Sequence, residues 1–247
     1  MHRLDASTFE YSAWPVRSTG RGRTSEAWLA VCTPHARVEA LLGPLDALGV
    51  RVLAADAGCF ALARGAWSNL GPTSLGVTTH LEHTCARFVA VANEGVMYER
   101  VLGGLGWQRV YERAHAQLNL DSRITWELLR AMARPEARRS SVQSGVVRLR
   151  AIVDEHMRVL AEELRQSLAY LEGGFASASL AGLALSGEGA TIGGWGKVLQ
   201  ATTGLSPRVI GARDLVDGAE ALPDDLGSEL VLAIGLARHP LLLEAAA

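Results

Sequence analysis

A glycine-rich turn between a buried strand and a helix is the segment of this chain best suited to binding a ligand. The turn, Ser186–Ala190, follows the apolar run Ser179–Leu185 and precedes a helical pattern that begins near Trp195. Glycine lets a backbone approach a ligand closely, and the first turn of a helix offers unpaired N–H groups that favour phosphate. A nucleotide site is one interpretation of this pattern, but on the pattern alone a tight strand-to-helix connection is preferred.

A long amphipathic helix precedes this strand and positions it. Apolar residues recur every three or four positions from Leu149 to Leu171, and charged residues fill much of the remaining surface. That spacing predicts a helix of about seven turns with one apolar face. Gly173–Gly174 is expected to end it, because glycine readily adopts the left-handed conformation of helix C-termini. The run Ser179–Leu185 is typical of a strand buried in a parallel sheet.

Composition and charge narrow the class of protein. The chain has 247 residues and a net charge of −2, which allows one or two domains and gives no basic surface for nucleic acid. No apolar run approaches the ~20 residues that span a bilayer, and the first residues lack the apolar core of a signal peptide, so we expect a cytoplasmic protein. Cys32, Cys59 and Cys85 are widely spaced in largely apolar surroundings, which predicts buried free thiols rather than a disulfide framework.

The first 33 residues predict two strands joined by an exposed segment. Partial alternation over Thr8–Val16 predicts an edge strand, and Ala27–Thr33 is a second candidate. The Gly/Arg/Ser run at 17–25 between them predicts a hairpin tip or loop. Its three arginines could contact a phosphate, but a solvated loop is the preferred interpretation.

A strand, helix, strand pattern follows. Pro34 begins a helical pattern in which Pro44 predicts a split or a kink. Val50–Asp56 is predicted to be the next strand, and a further helix begins at Cys59. Such short spacing indicates a right-handed parallel crossover.

Residues 76–102 predict an antiparallel meander of three strands. Four side chains near its first turn, His80, Glu82, His83 and Cys85, belong to types that bind metal ions. In a strand, His80 and Glu82 face one way and the other two face the opposite way, so one ion cannot readily collect all four. Polar turn residues are therefore preferred over a metal site.

Two shorter helices are predicted between residues 108 and 137. Asp121–Ser122 is a suitable start for the second, which Pro135 ends. Ser140–Ser141 is expected to cap the long helix that follows. Glu127 and Arg130 on the second helix have the spacing of a surface salt bridge.

The carboxyl end predicts a helix that ends at Gly204, a short strand at Pro207–Ile210 and a closing apolar helix. Ser228 is expected to cap the closing helix. Gly235 within it indicates close packing against a strand.

Two motifs in their order along the chain resemble the actin-like nucleotide-binding superfamily, and within it the PilM family of type IV pilus assembly proteins. Glu163–Leu168 and, after the buried strand, Leu185–Ala190 carry this resemblance. Ala233–Ala237 is similar to the end of PilM, which finishes with an Ala-x-Gly-Leu-Ala helix. The resemblance covers residues 4–238 and implies an actin-like (ribonuclease H-like) α/β fold, with mixed sheets, flanking helices and a helical subdomain.

The resemblance implies an adenosine site at these two motifs. In the family, a Glu-x-x-x-Ser helix and a Ser-Gly-Gly-Gly-Ala turn enclose the nucleoside. The matching positions here are Glu163, Ser167, Ser186, Gly187 and Gly189. Glu188 stands where the family has the second glycine of the turn. Glu127–Arg130 is similar to a Glu-x-x-Lys pattern of the family, with arginine in place of lysine.

The resemblance also implies a phosphate-binding hairpin in the meander, with ATP and Mg²⁺ as the cofactor. There His80 replaces the family's aspartate, Glu82 replaces a glycine, and Thr84 keeps a hydroxyl near the expected place. A carboxylate beside Mg²⁺ is thereby lost, and Glu82 would put negative charge beside phosphate. We therefore expect ATP hydrolysis to be impaired or absent.

The family's first phosphate loop has no counterpart before Glu26. We therefore expect residues 1–72 to be a remnant of a first actin-like domain and residues 73–247 to form the second, with a helical subdomain at about residues 105–172. Both a fragment and a naturally short relative are compatible with the sequence.

The implied function is that of a scaffold. It would belong to a type IV pilus or related secretion machine and dock an inner-membrane partner of the PilN type, with no nucleic acid and no membrane span of its own. Homo-oligomerisation stays open. The alternatives are a phosphotransferase of the sugar-kinase branch, for which no convincing aspartate base is found, and an inactive dimerisation module.

Overall fold

The chain folds into helices and mixed sheets in a computed structural model, which describes residues 8–20, 23–67, 70–71, 73–92, 95–133, 143–175, 178–219, 222 and 227–239. The predicted break at Pro135 and cap at Ser140–Ser141 lie outside these residues. The elements, in order, are β1 (Phe9–Gly20), β2 (Arg23–Pro34), α1 (His35–Ala47), α2 (Gly58–Ala66), β3 (Ser74–Leu81), β4 (Cys85–Ala92), β5 (Gly95–Gly103), α3 (Gln108–Leu118), α4 (Ser122–Ala133), α5 (Gln143–Gly174), β6 (Ser179–Gly187), α6 (Trp195–Thr203), β7 (Pro207–Val209) and α7 (Val231–Ala237), with short 3-10 helices at Ala212–Asp214 and Ser228–Leu230.

The central sheet has five strands in the order β5-β4-β3-β6-β7. β3, β4 and β5 form the predicted antiparallel meander. β6 pairs with β3 in parallel, and β7 pairs with β6 in parallel. The predictions of a meander and of a parallel strand at Ser179–Leu185 are therefore confirmed, but the strand is buried only from Leu183 onward, because Ser179, Leu180 and Ala181 are exposed.

Helices cover both faces of this sheet. The apolar stripe of α5, from Leu149 to Leu171, is buried and packs against Leu183 and Leu185 of β6. On the opposite face, α2 and α7 pack in a second cluster that includes Ala184. Alternate residues of β6 thus face different helical layers, as the geometry of a strand requires, and the long helix predicted from periodicity is confirmed.

β1 and β2 form a separate two-stranded antiparallel sheet. One face of this hairpin packs through Trp14 and Leu29 against the α2 and α7 cluster. The opposite face carries Tyr11 and Trp28, which are 60% and 66% exposed. The two predicted strands are confirmed, but they extend to Gly20 and back to Arg23, so most of the 17–25 segment predicted as a hairpin tip or loop is strand. Helix α1 runs without interruption through Pro44, so the predicted split is wrong.

The strand predicted at Val50–Asp56 is wrong. Residues 50–57 form no regular secondary structure. A strand needs a neighbour to satisfy its backbone, and β2 pairs with β1 in the described sheet. Asp56 instead accepts a hydrogen bond from the Ala57 backbone N–H at 2.8 Å, and it pairs with Arg64 of α2. Without this strand, the parallel crossover predicted between Ala27 and Asp56 does not form.

Two predictions about the closing helix also need correction. Ser228 gives its hydroxyl to the Gly187 carbonyl oxygen at 3.1 Å rather than capping the helix. Gly235 makes a close contact, but its neighbour is α2 and not a strand, because a Cβ there would lie 1.8 Å from the Ala61 carbonyl oxygen. The serine therefore joins the closing helix to the glycine turn, and the glycine joins it to α2.

The three cysteines are free, as predicted, but their surroundings differ. Cys59 is buried, Cys85 is half-buried and Cys32 is exposed. The prediction of burial is wrong for Cys32 because it lies on the uncovered face of the hairpin. Among the described residues, no helix is long and apolar enough to cross a membrane.

Candidate functional site

The glycine turn begins where β6 ends, and its first glycine is pressed against β3. Gly187 has a φ of +92°, and a Cβ at this position would lie 2.1 Å from the carbonyl oxygen of Leu81. That oxygen accepts a hydrogen bond from the Glu188 backbone N–H at 2.8 Å. A side chain cannot fit here, so the backbone of the protein itself accounts for the first glycine.

The next glycine lies between two indoles. Gly189 has a φ of +72°, and a Cβ there would lie 2.1 Å from the ring of Trp107. Trp195 donates its indole N–H to the Gly189 carbonyl oxygen at 3.1 Å. Trp107 is 1% exposed. The close approach that the sequence suggested for a ligand is therefore made here by an aromatic side chain of the same chain.

A narrow cleft separates the glycine turn from α3 and α4. Its principal lining residues are Trp107, Tyr111, Trp126, Arg130, Glu188 and Gly189. The guanidinium of Arg130 lies over the Trp126 ring, 4.5 Å from its centroid. The cavity has a volume of about 30 Å³, which admits a water molecule but is far too small for a purine ring. The aromatic rings that line the cleft thus also fill it in this conformation.

One buried donor in this cleft has no partner. The indole nitrogen of Trp107 makes no hydrogen bond among the described residues. A buried donor without an acceptor is unfavourable by about 1–3 kcal/mol. A water molecule or a small acceptor group entering the cleft would satisfy it.

Glu188, which replaces a glycine of the family pattern, closes one end of the cleft. Tyr111 donates its hydroxyl to the Glu188 carboxylate at 2.9 Å. The ring of His83 lies 3.4 Å from the same carboxylate. Burial, followed by the Glu188 charge, raises the pKa of Tyr111, so this residue stays a neutral donor. Glu188 therefore connects the glycine turn to α3 and to the β3–β4 turn.

His80 lies inside the sheet and not at a metal site. Its Nδ1 atom is 2.9 Å from the Ser186 hydroxyl, and both residues are buried. Burial lowers the pKa of His80 to about 4, so the ring is neutral at pH 7. By alternation with Leu185, Ser186 faces the α2 and α7 layer. A neutral imidazole in this position cannot replace the carboxylate of a Mg²⁺ site.

Glu82 is occupied by protein contacts. It accepts a hydrogen bond from the Arg87 guanidinium at 2.9 Å and another from the Cys85 thiol at 3.1 Å. Arg87 also pairs with Glu99. Burial raises the pKa of Glu82, but the hydrogen bonds from Cys85 and Arg87 and the charge of Arg87 outweigh it, so the pKa is lowered. Burial is the main cause that raises the thiol pKa of Cys85 to about 11. In the part of the chain that the structure describes, no three metal-ligating side chains cluster.

Glu163 and Ser167 connect α5 to β5, the edge strand of the sheet. Arg100 of β5 forms an ion pair with Glu163 and donates to the Ser167 hydroxyl at 3.0 Å. β5 lies three strands from β6, which corresponds to roughly 14 Å at the usual strand spacing. Ser167 therefore contacts the β5 edge of the sheet, three strands away from β6, which carries Gly187.

The structure does not bring the six sequence-predicted site residues together. Ser186, Gly187 and Gly189 belong to one turn, whereas Glu163 and Ser167 lie at β5. Thr84 is exposed in the neighbouring β3–β4 turn. That the six together bind nucleotide stays a prediction.

The residues that do face the glycine turn come from α3, α4 and the loop before α3. Sequence reasoning missed Trp107, Tyr111 and Trp126 as partners of the turn. The one sequence signal was the Glu127–Arg130 pair, since Arg130 lines the cleft. Glu127 itself lies 3.9 Å from Arg123.

The chemistry of these side chains suits an adenine-like ring better than a magnesium-bound triphosphate, but the filled cleft has no room for a base in this conformation. Indole and guanidinium planes can stack on a purine, and the Trp107 N–H offers a free donor. On the phosphate side, His80 is neutral and buried, while Glu82 and Glu188 contribute negative charge. The described residues therefore do not form a site for Mg²⁺ and a triphosphate.

Solved structures of actin-like proteins resemble this chain. The PilM–PilN type IV pilus biogenesis complex matches over 93% of this chain with a TM-score of 0.71 and 20% identity. The ethanolamine utilization protein EutJ from Carboxydothermus hydrogenoformans matches over 81% with a TM-score of 0.57 and 10% identity. MreB5 of Spiroplasma citri bound to ADP matches over 83% with a TM-score of 0.55 and 12% identity. The chain therefore has the actin-like ATPase fold, and the predicted fold class is confirmed.

The chain spans only part of each of these proteins. It covers 66% of the PilM chain, 59% of EutJ and 64% of MreB5. No protein-family model matches the sequence. No characterised protein matches it by sequence either. The resemblance to PilM therefore rests on structure and on the motifs given above.

Proposed function

We propose that this protein is an actin-like scaffold of a type IV pilus or related secretion machine, which docks an inner-membrane partner of the PilN type. The observation that carries the proposal is the likeness to PilM in a PilM–PilN complex, over 93% of this chain. The protein would lie in the cytoplasm, at the inner membrane through its partner. In this proposal residues 1–72 belong to the first actin-like domain and residues 73–247 form the second.

We also propose that the cleft does not hydrolyse ATP. A nucleotide-bound relative, MreB5 with ADP, shares the fold, which supports an adenine nucleotide as the ligand of any remaining site. The residues that would hold it are those lining the cleft, with Trp107 and Trp126 beside the base and Gly189 at the turn. Its role would be structural and not a switch for partner binding, because neutral His80 and paired Glu82 replace the residues that would hold Mg²⁺ and phosphate.

The presence of His80 at the expected carboxylate position disfavours a phosphotransferase. Such an enzyme needs a carboxylate base beside a phosphate-binding hairpin. The position of that carboxylate holds His80, which bonds Ser186 inside the sheet. The scaffold proposal has no such requirement.

The outer face of the β1–β2 hairpin is the surface that we assign to the partner. In the antiparallel register its residues lie opposite one another in pairs, and they carry no charge: Tyr11, Ala13, Pro15, Trp28, Ala30 and Cys32. All six are exposed. Aromatic residues on an uncharged exposed face are typical of protein interfaces, and this face suits an apolar segment of the PilN-type partner.

Co-purification tests the scaffold proposal and the docking face together. The PilN-type protein of the same organism is expressed with this chain, with the double variant Tyr11→Ser/Trp28→Ser, and with the control Val147→Ser, which is 65% exposed on α5. The native chain and the control are expected to retain the partner. The double variant should weaken the complex by about tenfold or more, as loss of aromatic anchors does.

The possible outcomes separate the two proposals. If the native chain retains no partner, the scaffold proposal fails. If the native chain and the double variant retain it equally, the scaffold stands and the hairpin face is not the docking surface.

A further inference from the structure

A second concave surface lies between two helices and is lined by no residue of the glycine turn. This groove, between α3 and α5, has a volume of about 420 Å³. Its lining residues are Arg113, Gln117, Leu118, Arg148, Ala151, Ile152 and Glu155. None of them lines the aromatic cleft. The volume lies in the range of sites that take a drug-sized ligand or a short peptide, and it is larger than a single ion needs.

The floor of the groove is apolar and its walls are polar. Ile152 is buried, Leu118 is half-buried, and Ala151 adds a small exposed surface between the helices. The amide of Gln117 can both donate and accept a hydrogen bond. Such a surface can take an apolar side chain while polar groups hold the flanking residues.

Two arginines give the groove its charge. Neither Arg113 nor Arg148 forms an ion pair or a side-chain hydrogen bond among the described residues. By contrast, Arg150 and Arg158 on the same helix α5 are paired with Asp154 and Glu155. The acidic group of the groove is thus already neutralised, whereas its two arginines present their guanidinium groups without a carboxylate partner.

The positive potential of this region extends to its neighbour His156. Burial is the main cause that lowers the pKa of His156 to about 4, and the charges of Arg109 and Arg113 lower it further. Arg109 precedes Arg113 by one helical turn on α3 and is exposed. This local positive charge stands out on a chain whose net charge is −2.

We propose that the α3–α5 groove binds a short acidic segment of a partner protein, with carboxylates on Arg113 and Arg148 and an apolar side chain over Ile152. Arginine pairs with carboxylates through two parallel hydrogen bonds, which gives both strength and orientation. A concave groove with an apolar floor suits an extended or helical peptide. This inference does not depend on the scaffold function or on the aromatic cleft.

The test uses two fluorescein-labelled peptides and three forms of the full chain. The acidic peptide has two aspartates and two glutamates around a central leucine, and the matched peptide has lysines at those four positions. The proteins are the native chain, Arg113→Glu/Arg148→Glu, and the control Arg123→Glu/Arg165→Glu. The control arginines lie exposed on α4 and α5, outside the groove.

Fluorescence anisotropy at low salt is expected to show saturable binding of the acidic peptide to the native chain and to the control. The groove variant should lose about tenfold or more in affinity, because two attractive contacts become repulsive. Binding should weaken further as salt screens the charges.

Three results would overturn the proposal. They are the absence of saturable binding to the native chain, equal affinities for the acidic and lysine peptides, and equal loss in the groove variant and the control. Circular dichroism of each variant identifies unfolding, and Arg113→Gln/Arg148→Gln then replaces a variant that does not fold. Full competition by millimolar phosphate, without peptide selectivity, would mean that the arginines bind free anions and would also overturn it.

Discussion

The contact between Gly189 and Trp107 predicts a large and specific loss of stability when the glycine gains a side chain. In Gly189→Ala the new methyl group would lie 2.1 Å from the indole, at a backbone φ of +72°. The left-handed conformation costs alanine about 1–2 kcal/mol. Displacing a buried, well-packed ring adds about 1–3 kcal/mol. We therefore expect the free energy of unfolding to fall by about 2–5 kcal/mol.

Gly204→Ala is the matched control for this substitution. Gly204 has nearly the same φ, +76°, but a Cβ there meets no atom within 4 Å. It should lose only the conformational part, about 1–2 kcal/mol. Equilibrium urea unfolding followed by tryptophan fluorescence and circular dichroism measures both losses.

A third variant tests whether the additional loss of stability in Gly189→Ala comes from the contact with the Trp107 indole. In a Trp107→Leu background the ring is gone, so Gly189→Ala should cost about as much as Gly204→Ala. If the two alanine variants of the native background lose the same stability, within about 0.5 kcal/mol, the glycine turn is not packed on Trp107 and the description of a filled cleft is wrong.

Three further predictions concern the histidines, the closing helix and a pair of helical glycines. Because burial lowers the pKa values of His80 and His156 from 6.5 to about 4, stability should be constant above pH 6.5 and fall as the pH decreases toward 4, by about 3 kcal/mol for each group at most. Urea midpoints at pH 7.5 and 4.5 measure this, and equal midpoints would contradict it. Ser228→Ala removes the 3.1 Å hydrogen bond to the Gly187 carbonyl oxygen, which still accepts from the Ala190 N–H, and should lower stability by about 0.5–1.5 kcal/mol, so a change within error in urea unfolding would count against this contact. Gly235→Ala should destabilise by about 2 kcal/mol or more because its methyl meets the α2 backbone, whereas Gly196→Ala, in open space on α6, should stabilise by about 0.5–1 kcal/mol; thermal melts with the same sign for both would refute it.

The central sheet and the long helix could be predicted because local patterns determine them. The apolar residues from Leu149 to Leu171 recur every three or four positions, and a helix places residues with this spacing on one face. The structure buries the whole of that face. The strand at Val50–Asp56 could not be excluded in the same way. Its alternation is a local property, whereas strand formation requires a neighbour that the sequence does not reveal.

The candidate site also depends on contacts that local sequence patterns do not reveal. The glycines of the turn indicate that something approaches the backbone closely, and this is correct for Gly187 and Gly189. What approaches depends on contacts distant in sequence, and Trp107 is 82 positions from Gly189. In the same way, the spacing of Glu163 and Ser167 identifies one face of α5, but their common partner is Arg100 on an edge strand.

The affinity of the PilN-type partner's cytoplasmic segment for this chain, measured by calorimetry with and without ATP and Mg²⁺, tests the central claim most directly. A scaffold with a filled cleft and no magnesium site should bind the partner with the same dissociation constant, within about twofold, in both conditions. No partner binding in either condition, or a tenfold dependence on ATP and Mg²⁺, would contradict the account.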